Sequence, residues 1–217
     1  MTTKARNKVS HTEALARLQA GNNRFVQNVR SVEAMGSRSQ RDALVRGQDP
    51  FAIVLSCSDS RVPSELVFDC GFGDLFVVRV AGNVVAASIV GSIEFAASAF
   101  GTELVVVMGH TNCGAVAATL DALAKGKGAN ILSANIGDIV DRIAPAVFEI
   151  ARAGNEPNAM KVATRANVRA SANHLRHGSR VIEERIASGT LAVVGAEYAL
   201  ETGHVDFFDI PKSYVAA

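Results

Sequence analysis

The sequence predicts a three-layer α/β sandwich: a mostly parallel central sheet of about four parallel strands plus an antiparallel edge strand, with an N-terminal helical arm. Three observations carry this reading. Phe51–Ser56, Leu75–Val80, Leu104–Met108 and Leu191–Gly195 are continuous apolar runs without alternation, as suits parallel strands covered on both faces. Helical patterns separate these runs in βα order. A last two-faced run, His204-Val205-Asp206-Phe207-Phe208, follows the turn Glu201-Thr202-Gly203 closely, and so short a connection makes it antiparallel.

Along the chain, Ser10-His11-Thr12-Glu13 has the form of a capping box, in which the Ser hydroxyl serves the N3 amide and Glu13 reaches back. Leu15, Leu18, Phe25, Val26 and Val29 then recur at helical spacing and predict an amphipathic helix over 11–29. A polar loop spans 31–40, and a short helix over 40–47 is closed by its glycine. Residues 11–47 thus form the helical arm. Residues 1–10 are polar and basic without an apolar core, so they carry no secretory signal and are expected to be disordered. Further helices are expected over 63–69, 84–100, 114–125 and a long stretch from about 130 to 187, with a mobile loop at Lys125-Gly126-Lys127-Gly128. The most apolar window, Val80 to Phe100, is diluted by Asn83, Glu94 and many small residues; it reads as a packed helix, not a membrane span. No internal repeat interrupts the chain, and residues 1–217 read as one domain.

Composition narrows the function classes. With 48% hydrophobic and 20% charged residues and a net charge of +1, the chain has no basic run to favour nucleic acid or an anionic membrane. Three cysteines make no disulfide framework and fit a reducing compartment, with the cytoplasm the expected location.

Two of those cysteines sit in the stretches that carry chemistry, Cys57-Ser58-Asp59-Ser60-Arg61 and Gly109-His110-Thr111-Asn112-Cys113-Gly114. Each follows a strand-like run, and ligands of open α/β sheets gather at the carboxyl ends of strands, where Cys57, Phe76 and the His110–Cys113 loop are expected. Cys57, His110 and Cys113 offer two thiolates and an imidazole, the preferred donors of zinc. Three ligands without a fourth is the count of a catalytic site that keeps one position open. Taken singly, each would read as a buried small residue or a core histidine. Asp59 and Arg61, two apart, can form a bidentate pair that keeps the carboxylate off the metal while leaving it able to accept a hydrogen bond. Cys70 falls outside this pattern and reads as a buried free thiol, and His174 and His177 as a solvated helix face.

These motifs closely resemble those of the β-class carbonic anhydrases. The likeness extends from about residue 11 to 208 and includes Gly71-Phe72-Gly73-Asp74-Leu75-Phe76-Val77-Val78-Arg79 and Gly91-Ser92-Ile93-Glu94-Phe95-Ala96. The resemblance implies one Zn²⁺ per chain on Cys57, His110 and Cys113, a catalytic dyad of Asp59 and Arg61, and reversible hydration of carbon dioxide to bicarbonate and a proton by a zinc-bound hydroxide. It also implies that Gln48 donates to a substrate oxygen, and that Val62, Phe76 and Gly114 line the substrate site. Phe95 matches a position that reaches the site of a neighbouring subunit, in a homodimer or dimer of dimers; family members often carry Tyr there. A subgroup closed by bicarbonate uses a Trp, an Arg and a Tyr. Arg79 and Tyr198 match two of these, but Val54 replaces the Trp, which points to the constitutively open subgroup. Hydrolysis of carbonyl sulfide or carbon disulfide on the same scaffold, and non-catalytic sensing of zinc or bicarbonate, are the alternatives.

Overall fold

Ser10 opens the first helix, α1 (His11–Val26), by accepting a hydrogen bond from the Glu13 N–H. The reciprocal half of the expected capping box is not made, because the Glu13 carboxylate pairs with Arg17 one turn on. The structure is a computed structural model, and it describes residues 8–31, 36–126, 133–154 and 158–211. Residues 1–7 of the expected disordered segment, and Lys127 and Gly128 of the expected mobile loop, lie outside the described residues.

α1 ends three residues sooner than its apolar spacing predicts. Asn28 takes a left-handed φ of 57°, which turns the chain and leaves Val29 half-exposed. The helix docks on its own chain: Ala14, Leu18, Gly21 and Asn22 are buried. Gly21 is required there, since a Cβ would sit 1.9 Å from the Phe68 carbonyl oxygen. The second helix, α2 (Arg38–Leu44), is shifted from the expected 40–47 because Ser37 and Gln40 form a complete capping box and the helix closes at Val45.

The sheet contains β1 (Ala52–Ser56), β2 (Leu75–Arg79), β3 (Leu104–His110), β4 (Ala192–Tyr198) and β5 (Val205–Asp209), in the order β2-β1-β3-β4-β5. The first four are parallel, and β5 is antiparallel at the edge, as the short connection requires. Alternate residues feed opposite faces. Val54, Val106 and Val194 pack under α1 and the short α3 (Ser64–Val67), around Leu18 and Phe68. Ile53, Leu55, Val105, Val107 and Val193 pack instead against α4 (Ala87–Ala99), α7 (Ala159–His177) and α8 (Arg180–Ala187).

α4 begins three residues later than expected. A 3₁₀ turn at Ala81–Asn83 and extended Val84 come first, and they tuck Val84 beneath the end of the sheet. The long helical stretch resolves into α6 (Ala134–Ala153), α7 and α8. Gly154, left-handed at φ 66°, ends α6, and the Ser179 hydroxyl caps α8 by accepting from Ile182 N–H. With α5 (Gly114–Lys125), α6 and α7 enclose a third apolar cluster at the carboxyl end of the sheet, made of Cys57, Val84, Cys113, Val116, Ile143, Val147 and Ala163. Among the described residues, no helix is long and apolar enough to cross a membrane.

Candidate active site

Three elements deliver the ligand side chains to that third cluster. Cys57 is the residue after β1, His110 is the last residue of β3, and Cys113 caps the N-terminus of α5. β3 runs two residues beyond its apolar run because Gly109 and His110 stay in register with Glu197 and Tyr198 of β4. Asn112, left-handed at φ 56°, then turns the chain so that Cys113 comes back beside His110.

The two Sγ atoms and one imidazole nitrogen lie within 4.8 Å of one another, and all three residues are buried. Ligands on a tetrahedral zinc are about 3.4–3.8 Å apart, so the cluster closes on such an ion with small adjustments. His110 supplies the more specific test. Its Nδ1 lies 2.9 Å from the Thr111 carbonyl oxygen, which fixes the proton on Nδ1, and its Nε2 is buried without a hydrogen-bond partner among the described residues. A buried nitrogen lone pair aimed at two thiols fits zinc.

Ionisation of the thiols agrees. The Cys113 thiol donates to Cys57 and draws its pKa down to about 4 against the cost of burial, helped by His110 and by the N–H groups of Asp59 and Gly82. The same contact, with burial, pushes Cys113 up. A bound dication would favour the thiolate form of both.

Asp59 is held beside the ligands yet away from them. Arg61 grips its carboxylate through Nε to Oδ1 at 2.9 Å and a terminal nitrogen to Oδ2 at 2.7 Å, and the Arg61 N–H adds a third bond at 3.0 Å. Asp59 Oδ2 lies 3.8 Å from His110 Nε2. Arg61 is the main reason the Asp59 pKa lies far below the ordinary carboxylate range, so the group is ionised near neutral pH. The carboxylate is thus an ionised hydrogen-bond acceptor beside the cluster.

Several residues support this arrangement in ways the sequence did not reveal. Arg79 donates to the Cys57 and Asp59 carbonyls at 3.0 and 2.6 Å and props their loop, so its guanidinium is engaged at the active loop. Glu201, in the β4–β5 turn, accepts from the Thr111 hydroxyl at 2.9 Å and the Asn112 amide at 3.0 Å, clamping the turn between two ligands. Arg61 also reaches the Asn112 carbonyl at 3.3 Å, which joins the two ligand loops. Gly82 N–H donates to Cys57 Sγ at 3.3 Å. The sequence hints at such roles only in Asn and Gly at turns, which signal φ > 0 and not a partner.

Of the remaining site residues, Gly114 and Val62 adjoin the ligand and dyad residues along the chain, the Val62 N–H donating to the Asp59 carbonyl at 3.0 Å, while Gln48, Phe76 and Phe95 are not gathered there within one chain. Gly114 follows Cys113 directly, and a Cβ on it would meet open space. Val62 is fully buried, but in the cluster under α1. Phe76 is the second residue of β2 and pairs with Ile53, so it lies near the amino end of its strand and not at the expected carboxyl end. Ile53 and Cys57 are four strand steps apart, about 13 Å. Gln48 precedes β1 while Cys57 follows it; the six steps from Phe51 to Cys57 span about 20 Å. Phe95 is 57% exposed on α4 and forms an aromatic cluster with Phe76 and Phe100, its ring 6.4 and 5.6 Å from theirs. Val54 is buried in the core and Tyr198 lies against Phe25, so neither is free at a surface pocket. Cys70 is only partly buried, and burial pushes its thiol up to about 12. His174 and His177 are exposed, as expected.

Comparison with known proteins places this geometry. Residues 52–205 match the family described as "Carbonic anhydrase". Carbonic anhydrase 2 of Mycobacterium tuberculosis is 40% identical over 186 residues, covering 86% of this chain and 87% of its own. Among solved structures, the β-carbonic anhydrase CcaA matches with a TM-score of 0.69 and 26% identity, over 91% of this chain and 92% of that one. The β-carbonic anhydrase CafA of Aspergillus fumigatus matches with 0.67 and 26%, over 93% and 92%. The matched span contains both ligand motifs and the whole parallel sheet that presents them, and the chain belongs to the β-class carbonic anhydrases.

Proposed function

We propose that this protein catalyses the reversible hydration of carbon dioxide to bicarbonate and a proton, at one zinc ion per chain held by Cys57, His110 and Cys113. The observation that supports this most is the pairing of a buried three-donor cluster with a carboxylate that Arg61 holds 3.8 Å from His110 Nε2. Family membership supports the same reaction. When bound, zinc supplies a Lewis acid that makes water a competent nucleophile near neutral pH.

The chain's own residues do the rest. Asp59 accepts the proton of the attacking oxygen in a hydrogen bond and so orients its lone pair toward the substrate carbon. Arg61 restrains Asp59 and keeps the fourth position free of protein ligands. His110 presents Nε2 because the Thr111 carbonyl holds Nδ1–H. Gly114 leaves space beside the cluster for a small linear molecule.

Gln48, Phe76 and Phe95 lie away from their own chain's ligands, and the resemblance gives them to the substrate site. We therefore read the working unit as a homodimer or dimer of dimers, in which the exposed Phe95 cluster of one chain faces the metal of its partner. Exposed aromatic clusters favour such contacts. A cytoplasmic location and the open subgroup remain part of this reading.

Stopped-flow carbon dioxide hydration, with zinc and mass measured on the same sample, tests it. The expected result is hydration by a dimer or larger assembly with one zinc per chain. A chain that binds zinc but turns over no carbon dioxide would refute the proposal, and a fully active monomer would refute its shared site.

A further inference from the structure

Asn167 lies mid-way along α7 on the face turned to the sheet, 2% exposed, with Ala163 and Ser171 buried one turn to either side. An amide is expensive to bury there unless it is bonded. Its Nδ2 donates to the Gly82 carbonyl oxygen at 2.7 Å. Gly82 in turn directs its own N–H at Cys57 Sγ, 3.3 Å away.

Gly82 occupies a tight place. Its φ is +68°, and a Cβ would lie 2.8 Å from Ile143 Cδ1 and 3.0 Å from Ala115 Cβ. The next residue, Asn83, is left-handed as well, at φ 45°. Two consecutive left-handed residues persist only where the surroundings hold them. Cys57 Sγ accepts one further backbone bond, from Asp59 N–H at 3.4 Å, but that donor belongs to the ligand's own loop. The Gly82 N–H comes from a separate segment, and α7 anchors that segment through Asn167.

We infer that Asn167 is a positioning residue for the metal centre: from α7 it fixes Gly82 so that the Gly82 N–H points at the Cys57 sulfur. The inference rests on the zinc reading proposed above. A donor aimed at a ligating thiolate orients the ligand and withdraws charge from the sulfur. That restores to the metal part of the Lewis acidity that two thiolates remove. Asn167 touches neither substrate nor metal, so its effect passes through Gly82 and Cys57.

Thr164 provides the internal control. It lies one turn before Asn167 on the same buried face, its methyl 3.2 Å from where a Gly109 Cβ would be, and its hydroxyl has no hydrogen-bond partner among the described residues. Asn167→Asp, Asn167→Ala and Thr164→Val should be compared with the parent in two measurements. One is zinc affinity by chelator competition; the other is the sulfur-to-metal charge-transfer band after cobalt(II) substitution. With circular dichroism unchanged, both Asn167 variants should lose about tenfold to hundredfold in zinc affinity, the usual effect of removing an outer-shell partner. Their charge-transfer band should move to longer wavelength, because the thiolate has lost a donor. Thr164→Val should match the parent in both.

Parent-like affinity and spectrum in both Asn167 variants would overturn the inference. So would an equal loss in Thr164→Val, which would assign the effect to general disturbance of α7. Failure of both Asn167 variants to fold would make Asn167 a core residue and overturn it too. If the parent binds no zinc, the zinc reading itself fails; if the parent binds and the variants match it, only this inference does.

Discussion

Arg61→Ala removes the fork that holds Asp59 off the ligand cluster. Both carboxylate oxygens are engaged by that guanidinium, yet Oδ2 is already 3.8 Å from His110 Nε2. An oxygen and an imidazole nitrogen bound to one tetrahedral zinc are about 3.4 Å apart. The observed spacing is within about 0.4 Å of that value, and Asp59, 18% exposed, would be left with only the backbone N–H of residue 61 on Oδ1 and able to turn Oδ2 toward the cluster. The variant should keep one zinc per chain, now closed by a fourth protein ligand, while carbon dioxide hydration falls about a hundredfold, the size of effect that a positioned proton-accepting group supplies. Arg61→Lys should fall between the two, because an ammonium is a point donor and not a fork. Stopped-flow hydration with metal analysis reads both effects. Arg61→Ala that turns over like the parent would refute the idea that the fork keeps the fourth position open.

Other outcomes follow from the same geometry. Cys113→Ser and His110→Ala should each lose zinc and hydration together, because three donors leave no redundancy; metal analysis checks this. Glu201→Ala should release zinc about tenfold faster to a chelator, since Thr111 and Asn112 lose their shared acceptor between two ligands. Gly21→Ala places a Cβ 1.9 Å from the Phe68 carbonyl and should cost about 2 kcal/mol or more in urea unfolding, with the zinc site intact. Burial opposes ionisation of Asp69, but Arg24 at 2.6 Å and the Ser31 N–H outweigh it and hold its pKa below the ordinary value. Such a carboxylate stabilises the fold above its unfolded pKa of about 3.9, and that contribution is lost as pH falls further. Asp69→Asn should therefore flatten the acid limb of stability against pH, and an unchanged limb would contradict the assignment.

The sheet was legible because β1 and β3, flanked by strands on both sides, bury both faces, which forces the unbroken apolar runs at Ala52–Ser56 and Leu104–Val107. The ligands were legible because Cys, His and Asp-x-Arg are rare chemistry placed at strand ends. Boundaries were less so, where a single backbone angle decides them. Asn28 ends α1 and Gly154 ends α6 by turning left-handed, and the apolar spacing runs past the first without a sign. The supports of the site were least legible. Glu201 and Asn167 lie more than 50 residues from the loops they hold, and only the folded topology brings them there. Phe76 was assigned to the wrong end of its strand, although the apolar run starting at Leu75 already makes it the second residue.

The most direct test of the central claim is carbon dioxide hydration by one preparation before zinc removal, after removal, and after zinc is restored. The account predicts one zinc per chain at the start, loss of hydration with the metal, and recovery in proportion to the zinc taken up. Undiminished hydration by metal-free protein would contradict it.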